Sequence, residues 1–277
     1  MTEPFFFEHD QARLFGVLDC ADAGSPSAGV VFCHPFGEEK QLTDRVFVRF
    51  ARRLAASGFA TLRFDCRGYG ESQGELEDGT LESHVSQTLA AAELLKSRYR
   101  LRSVLLLGLR FGATVAALAA ERAPDVSGLI LWSPIVSGRA YARELIRKKL
   151  AEQLALQDQA PTREQLLETL KTEGRLEFDG GYLTQPMYDA LSTIDLPQQV
   201  KQATSPVFVS TIRQRNQSYA AYDGLVNAYR SAGGTADLVV AEEREYWDVR
   251  SMFDAFFPDE LYGATLDWAQ ARWRIAS

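Results

Sequence analysis

The sequence contains few of the residues that most often perform redox, metal or acid–base chemistry. It has three histidines and three cysteines, and the cysteines are Cys20, Cys33 and Cys66. Because the cysteines are odd in number and far apart, they form neither a CxxC pair nor a zinc-knuckle spacing, and we expect reduced thiols. The sequence predicts no cofactor.

Long apolar runs and basic blocks are also missing. Residues 1–7 include three phenylalanines but lack the positive region and apolar stretch of a signal peptide. No run elsewhere reaches the roughly 18 apolar residues of a membrane-spanning helix. The net charge is −7, and no basic cluster offers a positive face to nucleic acid. We therefore expect a cytoplasmic protein with neither a membrane nor a nucleic-acid partner.

Short β-branched or aromatic runs alternate with longer helical patterns along the chain. The runs that predict buried strands are 29–33, 59–65, 103–107, 128–132, 207–211 and 236–241. Helical patterns cover 44–57, 81–99, 113–122 and 219–232. Residues 4–8 and 14–19 predict an antiparallel hairpin at the sheet edge. This order predicts an α/β fold with a mostly parallel, doubly wound, eight-stranded sheet.

The interval between the strands at 128–132 and 207–211 is much longer than a crossover needs. It predicts helices at 140–156 and 162–171, a small hairpin at 178–183 with Gly180 and Gly181 at its turn, and a helix through Met187. We interpret 137–202 as a cap inserted into one core formed by 1–136 and 203–277. The basic residues at 139–149 predict a solvated face, with Glu144 supporting Lys148 at i+4 spacing.

Three motifs follow three successive predicted strands. The first is His34-Pro35-Phe36-Gly37, the second is the charged glycine-rich run 65–72, and the third is Gly108-Leu109-Arg110-Phe111-Gly112. The third has the strand, sharp turn and helix context of a GxSxG nucleophile elbow, with arginine in place of serine. An arginine cannot attack a carbonyl, because its guanidinium stays protonated and has no free lone pair.

Together these motifs resemble the α/β-hydrolase superfamily over essentially the whole chain. The resemblance implies that the backbone amides of Phe36 and Phe111 take the places of the two oxyanion-hole donors. It also implies that the second motif is a DxRGxGxS loop with a mainly structural role, whose matching residues are Asp65, Arg67, Gly68, Gly70 and Ser72.

The superfamily's catalytic acid and histidine have no counterparts at the expected places. Residues 212–216, after the predicted strand at 207–211, contain no carboxylate, and the next one, Asp223, lies in a predicted helix. After the strand ending at 241 the sequence carries Tyr246 and Trp247 but no histidine. A serine-hydrolase mechanism requires all three groups, so we predict a pseudohydrolase. The elbow, the HPFGEE loop, the cap hairpin and the Tyr-Trp pair also resemble the exosortase- and exopolysaccharide-associated hydrolase-like proteins, type 2, although the hairpin has one extra glycine.

Arg110 has two interpretations. A guanidinium at a helix N-terminus could bind the carboxylate, phosphate or sulfate of a small anionic or acyl-bearing ligand. The other residues expected around this ligand are Phe36, Gly37, Phe111, His34, Tyr246 and Trp247. Alternatively, Arg110 pairs internally with Glu38 or Glu39, because a buried arginine needs a partner. The two interpretations are compatible if a ligand displaces a glutamate.

Two other classes of function stay open on the sequence. One is a hydrolase of esters, thioesters or amides with unusual catalytic groups, such as Cys33 or Cys66 with His34 and Asp65. The other is a structural or regulatory subunit that binds a second copy or a homologous hydrolase. No metal site is predicted, because the candidate ligands do not share one helix face.

Overall fold

The computed structural model describes residues 1–21, 25–156, 161–178, 181–213, 218–247 and 256–273. Its strands are β1 (Thr2–His9), β2 (Ala12–Asp19), β3 (Gly29–Cys33), β4 (Ala60–Phe64), β5 (Val104–Leu109), β6 (Gly128–Trp132), β7 (Arg175–Phe178), β8 (Gly181–Thr184), β9 (Val207–Ile212) and β10 (Ala236–Ala241). Eight of them form one sheet in the order β1-β2-β4-β3-β5-β6-β9-β10. The β1–β2 hairpin is antiparallel and pairs antiparallel with β4, whereas the remaining neighbours are parallel. The predicted fold class is confirmed.

The helices that connect the strands follow the predicted alternation. They are α1 (Glu38–Ala56), α2 (Leu81–Tyr99), α3 (Phe111–Ala120), α4 (Gly138–Leu156), α5 (Arg163–Glu173), α6 (Gln185–Ser192), α7 (Leu196–Gln199), α8 (Ala220–Ser231) and α9 (Asp259–Trp273). Helices α7 and α9 were not predicted. The predicted start of α1 at residue 44 was wrong, because Gly37, at φ 58°, turns the chain directly into a helix at Glu38. Acidic residues in its first turn favour that start.

The sheet has a buried apolar layer on each face, which explains its nearly continuous apolar strands. In β5 the side chains alternate between the layers: Leu105 and Leu107 pack on the side of α1 and α9, and Leu106 packs on the other. The second side carries α2 and α3, whose buried residues include Val85 and Val115. The carboxyl ends of the parallel strands therefore meet at one edge, where loops can form a site.

Residues 137–202 lie between β6 and β9 and pack on the core. Strands β7 and β8 form a separate antiparallel hairpin, with Phe178 paired to Gly181; the predicted turn residue Gly180 lies outside the described residues. Helix α4 starts in close contact with α6, since a Cβ on Gly138 would lie 2.1 Å from the carbonyl oxygen of Leu191. Among the described residues no helix is both long and apolar enough to cross a membrane.

Candidate functional site

The bend between β5 and α3 keeps the geometry of a nucleophile elbow. Arg110 occupies the bend at φ 54° and ψ −118°, a conformation that costs a non-glycine residue roughly 1–3 kcal/mol. A Cβ on Gly108 would lie 2.2 Å from the carbonyl oxygen of Gly112, and a Cβ on Gly112 would lie 2.0 Å from that of Cys33. The two glycines are therefore required for the close crossing of strand, bend and helix.

The guanidinium of Arg110 forms ion pairs with two glutamates, one from the core and one from the cap. Its Nη2 lies 3.5 Å from Oε1 of Glu39, in the first turn of α1, and 3.0 Å from Oε1 of Glu144, on α4. Lys148, one turn beyond Glu144, places its Nζ 3.7 Å from the same Glu39 oxygen. We name these four residues, Arg110, Glu39, Glu144 and Lys148, the elbow cluster. Of the two internal partners that the sequence left open, the structure pairs Arg110 with Glu39.

Burial and pairing act in opposite directions on the charges of the elbow cluster. Burial raises the pKa of Glu39, although Arg110 and Lys148 lower it in part. Burial alone lowers the pKa of Arg110, but Glu39 and Glu144 outweigh that effect and keep it raised. Within the described residues, Nε of Arg110 and Oε2 of Glu39 are buried without a hydrogen-bond partner. The cluster thus holds one free donor and one free acceptor away from bulk water.

Two aromatic rings lie against the guanidinium. Its Cζ is 5.5 Å from the ring centre of Tyr141 on α4 and 5.4 Å from that of Trp247, which is the range of cation–π attraction. Trp247 was expected at the site, whereas Tyr141 was missed. Tyr246 packs edge-on against Trp247 and is buried in the apolar layer beside α1 and α9. Its place among the ligand-binding residues stays a prediction, and its ring is buried in the same apolar layer as that of Trp247.

The loop after β3 and the start of α3 lie side by side. The rings of Phe36 and Phe111 are 5.6 Å apart in an edge-to-face arrangement. Among the hydrogen bonds of the described residues, neither of their backbone N–H groups acts as a donor. In contrast, the N–H of Gly37 donates to the hydroxyl of Tyr69. Gly37 is the residue before α1, its N–H group already has a partner, and its predicted contact with a ligand stays a prediction.

His34 holds two loops together. Its Nδ1 lies 2.8 Å from the carbonyl oxygen of Pro35, and its Nε2 accepts a hydrogen bond from the backbone N–H of Cys66. Burial, with Lys40 and His84 nearby, holds the pKa of His34 well below its ordinary value. A ligand contact of His34 stays a prediction, and both of its ring nitrogens already have backbone partners.

The cysteines near His34 are poorly suited to nucleophilic attack. Burial raises the pKa of Cys33 to about 12, and its Sγ lies 3.7 Å from the hydroxyl of Thr88. Burial also raises the pKa of Cys66 well above its ordinary value. Both thiols stay protonated near neutral pH, and the thiolate is the nucleophilic form.

Residues 65–72 form a loop that is held by local contacts of the residues matching the DxRGxGxS motif. Asp65 pairs with Nζ of Lys40 at 2.9 Å, and its carbonyl oxygen accepts from the hydroxyl of Ser72. Arg67 pairs with Asp78 rather than with Asp65. Gly68 and Gly70 have φ of 80° and 52°, which favour glycine.

The structure describes only part of the segments where the resemblance implies a catalytic acid and a histidine. Asp223 lies exposed in α8, as predicted, and Arg213 after β9 pairs with Glu242 after β10. Residues 214–217 and Asp248 lie outside the described residues. His84 packs 5.3 Å from the ring of Phe111, with its Nδ1 2.7 Å from the carbonyl oxygen of Thr80, so it also has a structural contact.

The cap helix α4 contributes more to the site than the sequence analysis indicated. Tyr141, Glu144 and Lys148 recur at helical spacing and face the elbow, and that spacing was the signal by which they could have been found. The predicted Glu144–Lys148 pair was wrong, because each side chain has a partner in the core. Lys149, expected on a solvated face, is buried and pairs with Glu152.

Comparisons with known proteins agree with this architecture. The family model described as serine aminopeptidase, S33 (Hydrolase_4) matches residues 24–225. The monoglyceride lipase homolog of Monkeypox virus is 32% identical over 130 residues, 45% of this chain and 45% of that protein. The uncharacterized protein RP471 of Rickettsia prowazekii is 29% identical over 133 residues, 48% of this chain and 55% of that protein. The chain thus spans about half the length of these two relatives.

Solved structures show the same fold across nearly the whole chain. Est1E from Butyrivibrio proteoclasticus with bound ferulic acid has a TM-score of 0.74 at 21% identity, covering 97% of this chain and 98% of that one. The Pyrococcus furiosus esterase Pf2001 has a TM-score of 0.67 at 17% identity, covering 99% and 91%. The elbow, the two-faced sheet and the family match lead to one conclusion: this chain belongs to the serine aminopeptidase S33 (Hydrolase_4) family of the α/β-hydrolase superfamily.

Proposed function

We propose that this protein is a pseudohydrolase that binds a small anionic or acyl-bearing ligand at the elbow and does not hydrolyse it. The observation that carries the proposal is the guanidinium of Arg110, fixed at the bend and held by Glu39 and Glu144. A serine at this point would need a base to remove its proton. A permanently protonated arginine instead offers strong hydrogen bonds to an anion.

The surroundings of Arg110 support binding over covalent attack. Neither Cys33 nor Cys66 carries a thiolate near neutral pH, and both ring nitrogens of His34 contact backbone groups. By the resemblance, the amides of Phe36 and Phe111 take the places of the two oxyanion-hole donors, and neither donates a hydrogen bond among the described residues. A stable anion can use the same donors, and the N-terminus of α3 adds its partial positive charge.

The finer resemblance to the exosortase- and exopolysaccharide-associated hydrolase-like proteins, type 2, is part of this proposal. It rests on the elbow with Arg110, the loop at 34–39, the cap hairpin at 177–184 and the pair Tyr246–Trp247. Under this assignment the replacement of the nucleophile is a feature of the lineage. We expect the ligand to be an acyl chain or a sugar acid.

The absence of covalent chemistry is tested with an active-site probe. Purified protein is incubated with a fluorophosphonate and, separately, with p-nitrophenyl esters. We expect no labelled protein and turnover at the rate of buffer. The variant Arg110→Ser supplies a hydroxyl, and we expect it to stay inactive because the sequence has no histidine at the superfamily's position after β10. Labelling of any residue, followed by release of product, would overturn the proposal.

Anion binding is tested by calorimetry with hexanoate, acetyl phosphate and glucuronate. Binding of at least one is expected in the wild type, and Arg110→Met should weaken it at least about tenfold, since a charge-assisted hydrogen bond contributes roughly 1.5–3 kcal/mol. Arg49→Met is the matched control, because Arg49 lies exposed on α1 beside Asp259. Equal affinity in the wild type and Arg110→Met would contradict the proposed site.

A further inference from the structure

The two glutamates on Arg110 differ in how firmly they are held. Both carboxylates approach the same nitrogen, Nη2, yet the side chain of Glu39 is 5% exposed and that of Glu144 is 31% exposed. Glu39 also lies near a second cation, Lys148, whereas the pair with Arg110 is the contact that holds Glu144. Glu39 is therefore a fixed part of the site, and Glu144 is the carboxylate that water and a ligand can reach.

We infer that Glu144 is an internal competitor for the ligand, and that the ligand is a small monocarboxylate with an apolar tail whose carboxylate replaces that of Glu144 on Arg110. This inference rests on the proposed function and specifies its ligand. In the ligand-free protein the cap supplies the anion that the guanidinium requires. Binding then exchanges one carboxylate for another and leaves no buried charge unpaired.

The charge of the elbow cluster determines how many negative charges the ligand carries. Arg110 and Lys148 balance Glu39 and Glu144, so the cluster is neutral in the ligand-free state. Displacing Glu144 leaves two cations and the buried Glu39, a local surplus of one positive charge. A monocarboxylate restores neutrality, whereas a dianionic phosphate would place an excess negative charge beside Glu39 at a partly buried site.

The unused hydrogen-bonding atoms also suit a carboxylate. Nε of Arg110 has no partner among the described residues, while Nη2 faces both glutamates. Arginine binds carboxylates best through two parallel N–H groups. A ligand oxygen on Nε would therefore add a hydrogen bond that the ligand-free protein leaves unmade.

The cap helix can release Glu144 without unfolding. Helix α4 is held by buried Tyr141, Leu145 and Ile146 and by the close contact at Gly138. These anchors do not involve the carboxylate of Glu144, so rotation of one side chain is sufficient. The rings of Tyr141 and Trp247 beside the guanidinium would then lie against the ligand's first carbons, which favours an apolar tail.

The experiment compares hexanoate, hexyl phosphate and hexanol at pH 8 by calorimetry. The proteins are the wild type, Glu144→Gln, Glu144→Ala and a matched control, Glu152→Gln. Glu152 lies on the same helix, and its side chain is 30% exposed and pairs with Lys149.

We expect hexanoate to bind the wild type more tightly than hexyl phosphate, and hexanol to bind most weakly. Both Glu144 variants should bind hexanoate about two- to fivefold more tightly, the range of a partly exposed ion pair, and Glu152→Gln should match the wild type.

The outcomes separate this inference from the proposed function. Anion binding that requires Arg110 but is unchanged in both Glu144 variants would overturn the competitor role alone. Tighter binding of hexyl phosphate than of hexanoate would overturn the ligand class. If no anion binds the wild type or either Glu144 variant, the proposed function fails together with this inference. Thermal unfolding of each variant verifies that it is folded before titration.

Discussion

Two neighbouring residues at the start of α1 point into two different charge clusters. Lys40 turns toward Asp65 and Asp44, at 2.9 Å and 3.4 Å, and ties α1 to the loop at 65–72. Glu39 turns toward Arg110 at the elbow. Both clusters are largely buried and both join segments distant in sequence, so burial and charge alone do not distinguish their roles.

The two clusters differ in whether their hydrogen-bonding capacity is used. In the described part of the chain, the buried polar atoms without a partner include Nε of Arg110 and Oε2 of Glu39 but none from Lys40 or Asp65. Asp65 also accepts from the backbone N–H of Glu71. A satisfied buried network stabilises a loop, whereas an unsatisfied one stores a penalty that a ligand can remove. We therefore assign stability to the Lys40 cluster and binding to the elbow cluster.

The largest expected effect is the loss of stability when the Lys40 cluster loses its cation. Lys40→Met should lower the free energy of unfolding by about 3 kcal/mol, because it leaves the half-buried Asp65 and its neighbour Asp44 without their cation. Chemical denaturation measures this loss. Hexanoate affinity of the folded variant should stay within about twofold of the wild type. Loss of hexanoate binding in folded Lys40→Met would show that the distinction is wrong.

Arg110→Met should have a smaller effect on stability and a larger one on binding. We expect a loss of about 2 kcal/mol, since Lys148 remains near Glu39 to compensate part of its charge. Adding Glu39→Gln should restore much of this loss, because the double variant buries no uncompensated carboxylate. Denaturation of the two single variants and the double variant measures their coupling. Purely additive losses would mean that Glu39 and Arg110 do not stabilise each other.

The smallest expected effect is on the pH dependence of stability. Burial raises the pKa of Glu39, so the folded protein keeps this proton to a higher pH than the unfolded chain. The free energy of unfolding should therefore fall as pH rises through the interval from the ordinary pKa of Glu39 to its raised value. Glu39→Gln should show a shallower fall as the pH rises above the ordinary pKa of a glutamate. Burial also raises the pKa of Asp44, but Asp44 is present in both proteins. An identical slope would indicate that folding does not shift the pKa of Glu39.

The elements were largely readable from the sequence because each carries a local pattern. Strands β3, β6 and β10 begin and end at the predicted residues, since their apolar runs are bounded by glycine or polar residues. The start of α1 was harder to predict from the sequence. Its first two turns contain Lys40 and Thr43, which are polar but buried, so the apolar period becomes visible only further along the helix.

The candidate site was only partly accessible to sequence reasoning. The elbow could be identified from the sequence, because Gly108 and Gly112 form a recognisable local motif. The partner Glu144 could not be identified from the sequence, because it lies 34 residues after Arg110. The direction of its side chain depends on how residues 137–202 pack on the core. We expect His34 and Gly37 near a ligand from their places in the motifs, but the sequence did not show that the Cys66 amide would donate to His34 or that Tyr69 would accept from Gly37.

The sequence by itself determined the order of strands and helices, the glycines of the bend and the chemical identity of the residue placed there. These follow from the periodicity of apolar side chains and from the backbone angles that glycine permits. Only the tertiary structure decided which acids neutralise Arg110 and which polar atoms remain unpaired. Ion pairing depends on distances of a few ångströms between side chains of separate elements, and those distances are set when the cap packs on the core.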